Sequence, residues 1–90
     1  MEELLAKQVV LNGIPVGRVV DVLFGADGET FLGLEIRCED GRHRFLPRAA
    51  ARDREHAIEI ESPFALLDSD ELDFYRSQGQ TLRARRESAA

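Results

Sequence analysis

Over most of its first two thirds the chain alternates between apolar and polar positions with a period of two. Leu32, Leu34, Ile36 and Cys38 fall on one side of an extended stretch, and Gly33, Glu35 and Arg37 fall on the other. That is the alternation of a half-buried strand. Ile58 and Ile60 alternate with Glu59 and Glu61 in the same way. Between Val19 and Phe24 the two sides are Val20, Val22, Phe24 and Val19, Asp21, Leu23. Both are largely apolar, so this strand is expected to be covered on both faces. A shorter strand runs from Arg42 to Leu46 and ends at Pro47, which has no N–H to give to a ladder. The pattern predicts a core of Val20, Val22, Leu32, Leu34, Ile36, Ile58 and Ile60.

Turn residues punctuate these stretches. Asn12-Gly13 lies between Gln8-Val9-Val10-Leu11 and Ile14-Pro15-Val16, and this pair accepts the positive φ angles of a type I′ hairpin turn. Gly25-Ala26-Asp27-Gly28 and Glu39-Asp40-Gly41 separate the next apolar runs. The three turns predict an antiparallel meander. The period then changes. Asp68 and Glu71 have capping-box spacing, Leu72 and Tyr75 can share a helix face with Phe74 beside them, and Gly79 is placed to end the helix. The reading is a helix over 69–78. A free helix of that length is marginal in water, so it is expected to dock on the barrel's open end or on a second copy.

The fold class that follows is mainly β: a small antiparallel β-barrel with one short C-terminal helix. One domain is expected, with a lead-in over 1–6, the barrel over 7–62, an extension carrying the helix over 63–80 and a disordered tail over 81–90. Closing the sheet would remove the edges that invite aggregation.

Composition narrows the class of protein. Ninety residues, 43% of them hydrophobic, can form one packed core. The single cysteine, Cys38, excludes an internal disulfide and fits a reducing compartment. The start, Met1-Glu2-Glu3-Leu4-Leu5, is acidic rather than basic as a secretory signal would be. No apolar run approaches the roughly 20 residues of a membrane span, so a cytoplasmic protein without a membrane span is expected. With eleven arginines and Lys7 as the one lysine, a GC-rich bacterial genome is the expected source.

A net charge of −5 argues against nucleic acid as the main partner. The charges are nevertheless unevenly spread. Arg42, Arg44, Arg48, Arg52 and Arg54 crowd the middle, and Glu59, Glu61, Asp68, Asp70, Glu71 and Asp73 follow. Either these are solvated faces that pair locally, or they form a bipolar surface that steers a charged partner or a second copy.

The run Gly13-Ile14-Pro15-Val16-Gly17-Arg18-Val19-Val20-Asp21-Val22-Leu23-Phe24 resembles the opening signature of PRC-barrel domains, a G-x-x-V-G-x-V-x-D-V pattern over the first strands. Phe45-Leu46-Pro47 resembles the family's strand that ends in an aliphatic residue and proline, and Ala57-Ile58-Glu59-Ile60 its final strand. The resemblance covers roughly residues 7 to 62. It implies a small β-barrel whose common property is protein binding rather than a reaction. Relatives form the cytoplasmic part of the H subunit of purple bacterial reaction centres and the C-terminal domain of a ribosome maturation factor. This chain has neither the membrane helix of the one nor the N-terminal domain of the other, so the expectation is a freestanding interaction module, with a ribosome- or RNA-associated assembly factor as the alternative. Gly13, Gly17, Asp21 and Pro47 are the structural positions of the motif. Gly17 can admit a close backbone or mark a bulge. Asp21, set in an apolar strand, needs hydrogen bonds from a turn or an arginine such as Arg18.

Nothing in the sequence marks a reaction centre. His43 and His56 lack a serine or cysteine in a nucleophile motif and read as exposed, while Cys38 reads as a small core residue. These three do not have zinc-ligand spacing. The stretch from Asp68 lacks the glycine and the terminal glutamate of a calcium loop. No catalytic residue, cofactor or metal is therefore expected. The expected partner surface is Arg42, Arg44, Arg48, Arg52 and Arg54 with Phe64, Leu72, Phe74 and Tyr75. A two-fold homodimer with aromatics at its centre is favoured over a segment folded back on its own barrel.

Overall fold

The computed structural model describes residues 2–89. A short 3₁₀ turn, Glu2–Leu4, leads into strand β1 (Gln8–Leu11). Strands β2 (Ile14–Phe24), β3 (Phe31–Cys38) and β4 (His43–Pro47) follow as the antiparallel meander that the turns predict. Asn12 at φ 50° and Gly13 at φ 81° make the first of those turns, as a type I′ hairpin requires. After a 3₁₀ turn, Arg48–Ala50, come β5 (Arg52–Asp53) and β6 (Ala57–Ile60). The chain continues through a third such turn, Pro63–Ala65, to helix α1 (Ser69–Gln78), strand β7 (Gln80–Thr81) and helix α2 (Leu82–Ala89).

The sheet runs β4-β3-β2-β1-β6-β5, with β7 attached to the end of β2. This order explains its curl. Strands β4 and β5 are its two edges, yet only residues 48–51 join them. Six flat strands at about 4.8 Å spacing would set those edges roughly 24 Å apart. Four residues reach only about 17 Å when fully extended, so the sheet must bend until its edges approach. The result is a curled half-barrel, not the all-antiparallel barrel expected from the sequence. The β5–β6 hairpin enters beside β1 with β6 parallel to it, Gln8 opposite Ala57 and Leu11 opposite Ile60. Tight turns alone could not reveal this, because a parallel pair is set by a distant connection.

Bulges give the bend and decide which residues face inward. Val19 is opposite Ile36 but Asp21 is opposite Glu35, so Val20 is an extra residue in β2. Inward-facing positions before it are Gly17 and Val19, and after it Val22 and Phe24. A second shift, between Leu23 and Phe24, makes Leu32 extra in β3. These two slips correct the predicted core. Val22, Leu34, Ile36, Ile58 and Ile60 are buried in the main cluster with Val9, Val19 and Leu46. Val20 is only half-buried, and Leu32 packs against a second cluster on the outer face.

That second cluster consists of Leu23, Phe45 and Leu72, with Leu32, Leu67 and Tyr75 against it. It is where α1 docks. The helix spans the predicted residues, and Tyr75 stacks on Phe45 at 4.5 Å between ring centroids, an arrangement aromatic pairs favour. Asp68 stands at the N-cap, but its side chain makes no capping hydrogen bond. Gly79 ends the helix in extended rather than left-handed backbone. Its role is steric: a Cβ there would lie 2.0 Å from the Phe24 carbonyl oxygen. Gly17 likewise admits the Arg37 carbonyl, 2.7 Å from where its Cβ would stand.

The sequence suggests a tail without regular structure, and the described part of it carries two elements. Residues 80–89 form β7 and α2. Thr81 Oγ1 accepts a hydrogen bond from the Ala84 N–H at 3.2 Å, and Asp21 Oδ1 accepts one from the Arg83 N–H at 3.0 Å. A carboxylate at a helix N-terminus satisfies an orphan donor and opposes the helix dipole. Arg83 Nε donates to the Val20 carbonyl, and the Arg85 guanidinium lies 4.7 Å over the Phe24 ring. Ala90 lies outside the described residues. None of the described helices is long and apolar enough to cross a membrane.

Candidate functional site

Because the half-barrel does not close, its core is accessible at one end. There Leu11, Val16, Cys38, Ile60 and Leu66 line a cleft of about 500 Å³ with Pro63 and Phe64 at its lip. Their positions follow from strand register. Leu11 and Ile60 are paired across β1 and β6, and Val16 and Cys38 lie at the near ends of β2 and β3. Phe64 is held outward by the 3₁₀ turn, whose first residue is Pro63 and whose N-cap Ser62 accepts from the Phe64 N–H. The ring is 87% exposed, and Ile14, paired with Leu11 at the hairpin end, is 65% exposed. An exposed large apolar side chain at the lip of an apolar recess, as Phe64 is, marks a candidate contact surface.

The rim of the cleft is acidic. It carries Glu39, Asp40 and Asp68 with one cation, Arg44. Arg44 grips Asp40 through two hydrogen bonds, 2.9 and 3.2 Å, and Asp40 also accepts from the Arg42 N–H. The guanidinium is the first cause that holds the Asp40 carboxyl down at about 2, and the same pairing raises Arg44 further above its ordinary value. Glu39 and Asp68 have no such neutralising partner among the described ion pairs.

On the outer face two carboxylates are buried side by side. Asp21 and Glu35 are cross-strand partners, each 5% exposed. Like charges so placed repel unless each is separately satisfied. Asp21 takes the Arg83 N–H and, at 2.9 Å, the Val22 N–H. Glu35 meets His43 Nδ1 at 2.5 Å and Arg76 Nε at 3.8 Å. His43 is therefore half-buried, with Nδ1 in hydrogen-bond contact with Glu35, rather than exposed. Arg18 does not reach Asp21; it donates to the Ala6 carbonyl. Through them β3 is tied to β4 and α1, and β2 to α2. Among the described residues no cluster of His, Cys, Asp and Glu is arranged to hold a metal ion.

The predicted partner residues are dispersed by the fold. Arg44 binds Asp40, Arg52 binds Glu61 at 2.7 Å and Arg54 binds Glu59 at 3.1 Å. Only Arg42 and Arg48 of the five lack a described carboxylate partner. The local-pairing alternative thus describes most of the basic stretch. Leu72 is buried against the chain's own sheet, and Tyr75 is half-covered by Phe45. That leaves Phe64 and Phe74 as the exposed apolar members of the set. Sequence reasoning missed the cleft floor because Leu11, Val16, Cys38, Ile60 and Leu66 converge only through the curl. The signal available was the apolar run from Phe64 to Leu67, which follows Pro63 outside the strand and helix patterns.

No family model matches the chain, and no curated protein matches its sequence.

Proposed function

We propose that this protein is a non-catalytic interaction module of the PRC-barrel type, which engages a protein partner through the open end of its half-barrel. The observation that carries the reading is the juxtaposition of a 500 Å³ apolar cleft with Phe64, 87% exposed at its lip. An apolar anchor beside an apolar recess is the arrangement from which interface hot spots are built. The polar groups that are buried elsewhere hold the helices to the sheet, and a binding module requires no more of them. The alternative of an RNA-bound factor depends on the arginine stretch, and three of its five arginines are engaged by carboxylates of the chain itself.

Site-directed photo-crosslinking tests the reading. A photoreactive phenylalanine analogue in place of Phe64 should give a discrete adduct in the native cell. The same analogue at the exposed His56 should not, and Val16→Arg, which fills the cleft, should abolish the adduct. Equal labelling at both positions, or none at position 64, refutes the module.

A further inference from the structure

The cleft and its rim together say what kind of partner fits. Apolar floor residues call for one large apolar side chain, since a recess of about 500 Å³ holds a side chain with its neighbours and not a whole helix face. The rim decides what flanks it. Three carboxylates and one guanidinium surround the opening, and the guanidinium is already bonded to Asp40. Glu39, just after β3, and Asp68, just before α1, are therefore the two rim carboxylates that make no described ion pair. Two copies of this chain facing each other through the cleft would oppose acidic rim to acidic rim, which is repulsive. The chain's own basic helix α2 is tied to the other end of β2, at Asp21 and Phe24. Charge complementarity thus favours neither a second copy nor the tail in cis.

We infer that the cleft receives a basic segment of a partner protein, one large apolar side chain flanked by arginine or lysine. This rests on the interaction reading above and makes it specific. The apolar side chain enters between Leu11, Val16 and Leu66 and packs against Phe64, while the flanking cations meet Glu39 and Asp68.

Cys38 is the one cysteine of the chain; it is 8% exposed and lines the cleft floor. A small alkylating reagent must therefore enter through the cleft to reach it, and its alkylation rate, measured against the unfolding rate, reports occupancy. The probe is a short synthetic peptide with a central leucine and phenylalanine flanked by arginines. Its counterpart carries glutamates in place of the arginines. The basic peptide should slow alkylation of Cys38 in a saturable way and the acidic one should not. Glu39→Gln together with Asp68→Asn, both at exposed positions, should weaken protection by about threefold to tenfold. Raising the salt should weaken the wild type toward the same value. Equal protection by both peptides overturns the inference while leaving the interaction module standing. So does a rate that falls with the concentration of the protein itself, which would give the cleft to a second copy. Protection by neither peptide also overturns it, and the crosslinking at position 64 then decides separately whether the module survives.

Discussion

At the scale of single residues, burial and hydrogen bonding divide the side chains sharply. Ile36 is fully buried in the main cluster, so Ile36→Ala should lower stability by about 2–5 kcal/mol, the transfer and cavity cost of such truncations. Chemical denaturation reads this directly, and a loss below about half a kcal/mol would show that Ile36 does not pack as described. Two exposed carboxylates give a pH prediction. Asp27 accepts from the Thr30 hydroxyl and from the Glu29 and Thr30 N–H groups, with the Thr30 hydroxyl the first cause of a value near 2 instead of the ordinary 3.8. Asp40 is held near 2 in the same direction by Arg44. A carboxyl depressed in the folded state adds stability above its unfolded value and loses it as pH falls through the folded one. Both side chains should therefore remain ionised at pH 3 in a carbon-detected NMR titration. An ordinary midpoint for either would mean its turn is open in solution.

At the scale of elements, α2 is the clearest case of a segment formed by contacts remote from it. Its residues are good helix formers, but eight of them are too few to hold a helix in water. The capping carboxylate comes from Asp21, 62 positions earlier in the chain. Asp21→Ala should cost about 0.5–2 kcal/mol, as loss of a cap does, and should raise the amide exchange of residues 82–89 selectively. Unchanged exchange there would show that Thr81 and Arg85 hold the helix without Asp21. Helix α1, in contrast, was legible locally: Leu72 and Tyr75 mark one face, and its docking on Phe45 follows from the need to cover them. What could not be read locally was the surface it would cover, since Leu23 and Leu32 reach the outer face only through the bulges at Val20 and Leu32.

At the scale of the whole molecule, the short β4–β5 connection forces the curl, the curl opens a cleft at one end, and local ion pairs quench most of the basic stretch. Sedimentation equilibrium at micromolar concentration should accordingly give 10.1 kDa in both low and high salt. A dimer that persists in high salt would place Phe64 or Phe74 in an apolar contact between copies, because exposed ion pairs are screened under those conditions. A dimer lost on adding salt would return weight to Arg42 and Arg48.

What the sequence determined by itself was everything that short-range physics governs. Asn12-Gly13 dictates a hairpin, alternating Ile58 and Ile60 dictate a strand with one buried side, and Leu72 with Tyr75 dictates a docked helix. Each depends on backbone preference or on side-chain period over a few residues. The tertiary structure alone decided the parallel pairing of β1 with β6, the slip of Val20 and Leu32 out of the main core, the helical tail and the floor of the cleft. In each of these the interacting groups are far apart in the chain. A one-residue bulge reverses the facing of all that follows it, and a carboxylate in β2 can cap a helix near the C-terminus only after the sheet has curled to bring them together.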